Sequence, residues 1–199
     1  MQKSGLTPTY YIITFLGYVV MTSVYAIYLR YNLKHYNYGV IFGSALILYG
    51  YGLLAYEYYE ELSIAINEEK RLHIDNKYDK KETIKQAEKK VFQSVEFELV
   101  KKHLFKGHVV LGIFHALSFI IPINEHLKMT DITAILGHFM VYTDTYLTFG
   151  YVLLLTYYLL YLIRNYAEAH KYFVNKLQVV GSGMLIYHYI QNIMYMLTL

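Results

Sequence analysis

Apolar residues occur along this chain in long runs that are separated by polar segments. The longest run extends from Ile132 to Ile163, where 32 consecutive residues contain one formal charge, Asp144. A single helix of this length would measure about 48 Å, compared with about 30 Å for the hydrocarbon core of a bilayer. The run therefore predicts a membrane crossing, with Asp144 either buried within it or placed at its interfacial end.

Four further apolar runs have the length of membrane spans. We predict spans at residues 9–29, 38–56, 107–123, 132–163 and 177–199. These segments indicate an all-α, polytopic integral membrane protein with about five transmembrane helices. The chain then divides into a transmembrane hairpin (1–56), a charged loop (57–106) and a three-span membrane region (107–199).

The charged loop interrupts this apolar pattern. It carries 11 of the 18 Lys and Arg residues. From Asp79 onward its apolar residues recur every three or four positions, which predicts one extramembrane amphipathic helix that packs on the membrane surface or on a partner subunit. The stripe consists of Ile84, Ala87, Val91, Val95 and Leu99.

The positive charges also predict an orientation. With five crossings, 15 of the 18 Lys and Arg residues lie on the side of the N-terminus and the charged loop. Positive residues accumulate on the cytoplasmic or matrix side of a membrane. We therefore expect the N-terminus and the long loop to face the cytoplasm or, in a mitochondrial protein, the matrix.

Composition adds an excess of tyrosine, with 25 Tyr, no Trp and no Cys. Many tyrosines lie inside the apolar runs, where a buried phenol needs a hydrogen-bond partner, so we expect many to face protein rather than lipid. This favours a subunit packed in a larger assembly; codon bias in an AT-rich genome is the alternative cause of the tyrosine excess.

The lack of Cys excludes disulfides, iron-sulfur clusters and thiolate zinc sites. A net charge of +3 without a basic, aromatic-interleaved patch indicates no nucleic-acid partner.

Polar residues at membrane depth are the first candidates for chemistry, because their burial is costly. Asp144 leads, with His138 six residues before it and Tyr142 between them. The functional interpretation is a proton or polar relay through these three residues. The structural interpretation is that Asp144 marks the interfacial end of a span or caps a helix segment.

Histidines are the second candidates, because two histidines from facing helices can ligate a b-type haem. The possible ligands are His115, His138 and His188, and His108 lies seven residues before His115 on the same helical face. Polar packing between helices is the alternative for all four. The sequence contains no nucleotide-binding glycine loop, HExxH motif or nucleophile elbow. We therefore predict no catalytic residue, no metal site and no stand-alone enzyme.

Two segments resemble cytochrome c oxidase subunit III. Leu53–Ile64, LLAYEYYEELSI, is similar to a helix end of that family with a Gln, a Glu-Tyr pair and a following acid. The final segment from Leu185, LIYHYIQNIMYMLTL, is similar to the closing Trp-His-Phe-Val-Asp helix, with Gln191 in place of the Asp, and Arg164 precedes His188 at about the family's spacing. The resemblance covers the C-terminal half of the family. It implies a redox-inert subunit, in a divergent protist mitochondrial complex, that stabilises its neighbour and binds lipid.

Other membrane subunits remain open as alternatives. His138, Asp144 and Tyr146 supply the residue types of the haem- and quinone-binding membrane anchor of succinate dehydrogenase. An accessory subunit of ATP synthase or of respiratory complex I would need no chemistry at all. We therefore expect a non-catalytic structural subunit of the mitochondrial inner membrane, without a cofactor of its own, in contact with phospholipid and with other membrane subunits.

Overall fold

Helices account for the regular structure of the chain, as the apolar runs predict. The computed structural model describes residues 7–34, 38–74, 95–117 and 128–197. Within these ranges the backbone forms six helices and no strand, which confirms the all-α class. The helices are α1 (Pro8–Lys34), α2 (Tyr38–Ile74), α3 (Val95–Ala116), α4 (Met129–Tyr142), α5 (Leu147–Tyr166) and α6 (Phe173–Leu197). The predicted amphipathic stripe at 84–91 and the last part of the predicted span 107–123 lie outside the described residues.

The six helices form a closed ring in chain order. Each helix packs against the next one, and α6 returns to pack against α1. Successive helices run antiparallel, since residues 143–146 alone join α4 to α5 and residues 167–172 alone join α5 to α6. The contacts between the other neighbouring helices also run in opposite directions, as Tyr10–Asn192 and Tyr28–Gln178 do for α1 and α6. The start of α1, the α4–α5 turn and the end of α6 therefore lie at one end of the ring, which we call the N-terminal end.

Three of the described helices are long and apolar enough to cross a membrane. They are Pro8–Lys34, Val40–Asn67 and Leu147–Tyr166. The first contains the predicted span 9–29, and the second contains residues 40–56 of the predicted span 38–56. These three helices support a membrane protein. α1 and α2 are longer than the apolar runs from which they were predicted.

The predicted span 132–163 is divided into the two helices α4 and α5. Asp144 adopts a left-handed backbone conformation with φ 54°. The N–H of Thr145 donates to the carbonyl of Met140 at 3.2 Å, which is the six-to-one bond of a Schellman turn. A reversal at Asp144 lets the two apolar halves of this run pack on each other, where one straight helix would be much longer than the bilayer is thick.

Apolar and polar side chains are both buried inside the ring, and many large apolar side chains are also exposed on its outside. The buried polar residues include Thr14, Ser44, His108, His138, Gln178, Ser182, His188 and Asn192. Large apolar residues exposed on the outer faces include Ile12, Leu16, Val152, Leu159, Val180 and Ile190. Monomeric soluble proteins rarely expose large contiguous apolar patches. The outer surface is therefore suited to a lipid environment.

Candidate functional site

The interior of the ring is lined by tyrosine rings. The buried tyrosines are Tyr10, Tyr18, Tyr25, Tyr51, Tyr58, Tyr151, Tyr157, Tyr158 and Tyr189. The expectation that many tyrosines face protein is confirmed for these residues, although the protein they face is this chain itself. Tyr49 and Tyr146 are 50% and 77% exposed and lie on the outside.

His188 occupies the centre of a hydrogen-bonded cluster between α1 and α6. Its Nδ1 lies 2.8 Å from the hydroxyl of Tyr10 and 3.4 Å from that of Thr14, while its Nε2 lies 3.3 Å from the hydroxyl of Tyr18. The Tyr10 hydroxyl also donates to Oδ1 of Asn192 at 3.2 Å. Both ring nitrogens of a fully enclosed imidazole therefore contact hydroxyl groups, which fixes the ring and connects two phenols through it.

Two further hydrogen-bonded groups lie along the same interior. The hydroxyls of Tyr51 and Tyr158 are 2.6 Å apart. Nearer the other end of the ring, the amide of Gln178 donates to the hydroxyl of Tyr161 at 2.7 Å and also to that of Tyr28. Gln178 is fully buried, so these phenols supply acceptors that its amide group would otherwise lack.

His108 and His138 form a stacked pair between α3 and α4. Their ring centroids are 4.7 Å apart with an interplanar angle of 15°, and Tyr157 packs with its ring edge-on to His108 at 5.6 Å. Each of the two histidines has a buried Nε2 without a hydrogen-bond partner among the described residues. A ring nitrogen binds a metal through a lone pair that lies in the plane of the ring. Because the two rings are stacked face to face, neither lone pair points into the space between them, so the pair cannot ligate a metal held there.

The structure does not gather the predicted relay residues into one site. Asp144 is exposed in the α4–α5 turn, whereas His138 is buried in the ring interior. Tyr142 stacks on Phe105 with centroids 5.9 Å apart. Within the described part of the chain, no hydrogen bond joins Asp144 to His138 or to Tyr142. In this arrangement Asp144 serves the turn rather than the interior.

The three predicted haem ligands do not come together in one site. Nδ1 of His115 lies 3.2 Å from Oδ2 of Asp131, at the start of α4. His138 and His188 both line one cavity of about 30 Å³. That volume suits one or two water molecules, and it would have to increase many times to admit a porphyrin. Among the described residues, no group of three His, Asp or Glu side chains could hold a metal ion.

Sequence reasoning missed three of these interior contacts. His108 and His138 are 30 residues apart, and nothing in their local sequence pairs them. No local sequence feature distinguishes Tyr51 and Tyr158 from the other tyrosines among the 25 in the chain. Gln178 carried a usable signal, because an uncharged amide at the start of an apolar run needs buried partners.

Comparisons of the chain with protein-family models, with curated proteins and with solved structures gave no match.

Proposed function

We propose that this chain is a non-catalytic structural subunit of a mitochondrial inner-membrane respiratory-chain complex, with cytochrome c oxidase as the first candidate. The observation that supports the proposal is the outer surface of the ring, where large apolar side chains are exposed on helices that are long and apolar enough to cross a membrane. The choice of the oxidase rests on the resemblance of Leu53–Ile64 and of the final segment to its subunit III.

A structural role agrees with the way in which the interior is filled. Tyrosine rings from four of the helices occupy it, and the cavity beside His188 measures about 30 Å³. A substrate of ordinary size needs a pocket of several hundred Å³. The described interior therefore supports packing and rigidity rather than turnover of a substrate.

The outer face supports contacts with lipid and with neighbouring subunits. Large apolar and aromatic side chains are exposed along α1, α2, α5 and α6. They include Leu16, Phe42, Tyr49, Tyr56, Phe149, Leu159 and Met194. Surfaces of this composition are covered by acyl chains or by other membrane helices. Bound phospholipid is the expected ligand, and other membrane subunits are the expected partners.

The ring also suggests how the chain lies in the bilayer. α3, α4 and α6 pack side by side with the three helices that are apolar enough to span. We infer that they lie at membrane depth with them, which gives six antiparallel membrane helices in place of five. The N-terminal end of the ring then faces the matrix, as the positive charges of the segment 57–106 indicate.

Native electrophoresis tests this function directly. The native membrane is solubilised in mild detergent, complexes are separated, and the band that contains this chain is identified by mass spectrometry and examined by optical spectroscopy. Co-migration with oxidase activity is the expected result. Migration alone as a small band would contradict a role as an assembly subunit.

The same experiment separates the alternatives. Migration with succinate dehydrogenase, together with a b-type haem spectrum that is lost in a His188→Ala or His138→Ala variant, would indicate a membrane anchor. Migration with ATP synthase or with complex I would keep the structural role and change the complex.

A further inference from the structure

Two lysines of α3 lie at the height of the apolar outer surface of the ring. The sequence pattern assigns Lys102 and Lys106 to the charged segment 57–106, whereas the structure places both of them within α3. Lys106 is the twelfth of the 22 residues of this helix, so about 15 Å of helix extends on either side of it. It therefore lies far from the helix ends, where the lysines of membrane helices reach the headgroup region.

Contacts with α2 fix this height. Leu104, between the two lysines, packs so closely on Gly50 that a Cβ added to the glycine would lie 2.7 Å from the leucine side chain. Gly107, which follows Lys106, packs on Ile47 in the same way. Gly50 and Ile47 belong to the part of α2 that is long and apolar enough to cross a membrane. When α2 spans the bilayer, α3 therefore carries its two lysines at membrane depth.

Both lysine side chains are exposed on the outside of the ring. Because they are four residues apart, they lie on one face of α3, whereas Leu104 and His108 are buried on the opposite face. Within the described parts of the chain, no acidic side chain forms an ion pair with either ammonium group. A positive charge at this depth is costly in contact with lipid, so a side chain that carries one faces other protein or water.

Apolar surfaces flank the two lysines on both sides. On α2, the exposed ring of Tyr49 packs against His103 with centroids 5.1 Å apart. On α4, the exposed ring of Phe139 packs against Phe105 with centroids 5.5 Å apart. Both contacts are made by residues of α3 that lie between the two lysines in the sequence. The positive pair is therefore set in an otherwise apolar surface, which is the arrangement of a protein interface rather than of a water-filled groove.

We propose that the outer face of α3 binds a membrane helix of another chain, and that this helix carries Asp or Glu side chains at the height of Lys102 and Lys106. The carboxylates would neutralise the ammonium groups, and the apolar flanks would pack on the rest of the helix. This inference rests on the proposed function, since it requires that the chain is one subunit of a membrane complex. It adds the position of one interface and the chemistry of the partner.

Other occupants of this face fit it less well. Phospholipid phosphates lie at the membrane surface, about 15 Å from the middle of the hydrocarbon core, and a lysine in the middle of a helix does not reach them. A second copy of this chain offers no exposed acid at the height of Lys106 within its described residues. Glu60 is about 15 Å of helix beyond Gly50, and Asp144 and Glu168 lie in the turns at the two ends of the ring.

Cross-linking in the native membrane tests the chemistry of the partner. A membrane-permeant carbodiimide joins an amine to a carboxylate that is in contact with it through an amide bond. Mass spectrometry of the linked peptides is expected to show Lys102 or Lys106 joined to an Asp or Glu within an apolar segment of another chain. The absence of such a link, a link only to a second copy of this chain, or modification of both lysines in the intact complex by a membrane-impermeant amine reagent would overturn the proposal.

Substitutions separate binding of the partner from stability of the ring. The Lys102→Leu/Lys106→Leu variant removes two charges from an apolar surface, so the isolated chain should melt in mild detergent at the same temperature or a higher one. Its co-migration with the complex in native electrophoresis should nevertheless fall at least about tenfold, because the partner's carboxylates lose their counter-charges at membrane depth. The Lys102→Arg/Lys106→Arg variant keeps both charges and should co-migrate fully. Lys176→Leu, at an exposed position in the first turn of α6, should also leave co-migration unchanged.

The outcomes also distinguish this interface from the proposed function. Full co-migration of the folded Lys102→Leu/Lys106→Leu variant would overturn the interface and leave the proposed subunit role intact. Migration of the unsubstituted chain alone would overturn both.

Discussion

The hydroxyl oxygens of Tyr51 and Tyr158 lie 2.6 Å apart, although 107 residues separate them in the sequence. The two side chains come from α2 and α5, which are opposite each other in the ring, and both are fully buried. A short bond across the interior therefore joins helices that are not neighbours. Because the surroundings are apolar and aromatic, neither hydroxyl has water as a ready substitute for its partner.

This bond predicts a characteristic pattern of stability. Tyr51→Phe and Tyr158→Phe should each lower the free energy of unfolding by about 1 to 3 kcal/mol, since each leaves one buried hydroxyl unpaired. The double variant should cost less than the sum of the two, because it removes both polar groups. Thermal unfolding in mild detergent measures all three variants. Additive losses would show that the hydroxyls do not interact.

Gly107 and Gly43 allow α2 and α3 to approach closely. A Cβ added at Gly107 would lie 2.6 Å from Cγ1 of Ile47 and 3.1 Å from the carbonyl oxygen of Gly43. We predict that Gly107→Ala destabilises the ring by about 1 to 3 kcal/mol through this overlap. The matched control is Gly52→Ala, where an added Cβ meets nothing within 4 Å, and which should be neutral or stabilising by about 0.5 to 1 kcal/mol. Equal melting temperatures for the two variants would contradict the close approach.

Asp144 is expected to tolerate replacement by glycine. Its φ of 54° lies in the left-handed region, which costs a residue with a side chain about 1 kcal/mol relative to glycine. Asp144→Gly should therefore raise the melting temperature, and Asp144→Ala should lower it. If Asp144 is a turn residue, Asp144→Asn and Asp144→Ala should also assemble normally and leave the activity of the proposed complex unchanged. Loss of the complex's activity in both variants would instead support a relay through Asp144.

The hairpin of α1 and α2 could be predicted from the sequence, and the reversal between α4 and α5 could not. The first two helices are separated by polar residues and begin beside Pro8 and Gly39, which are ordinary boundary signals. The turn at Asp144 contains no glycine or proline and lies between apolar residues. Two features of the apolar run indicate a break without fixing its geometry: its length, since one helix from 132 to 163 is too long for a bilayer, and the single charge of Asp144 within it.

The reversal at Asp144 changes the side of the membrane on which each later connecting segment is expected to lie. Five crossings put Arg164, Lys171 and Lys176 on the side of the N-terminus. In the antiparallel ring the turn at 167–172 lies at the opposite end from the α4–α5 turn. If all six helices cross the membrane, as proposed above, these three residues lie on the side opposite the N-terminus, because each additional turn inverts the segments that follow it.

The interior contacts depend on which residues of the six helices lie at the same height in the ring. The local sequence around each residue does not determine this. His108 and His115 share a helical face by spacing, yet His108 stacks on His138 while His115 contacts Asp131. Tyrosine content predicted that phenols would face protein, and it could not tell which of the 25 would pair. Pairing of Tyr51 with Tyr158 follows only once α2 and α5 are known to be opposite each other.

Cysteine labelling gives the most direct test of the ring as a membrane domain. Because the chain has no cysteine, Asp144→Cys and His170→Cys each introduce one thiol, both at exposed positions on either side of α5. Sealed vesicles of known orientation are treated with a membrane-impermeant maleimide from one side. We expect the two positions to be labelled from opposite faces of the membrane, with residue 144 on the side of the N-terminus. Labelling of both positions from the same face would contradict it.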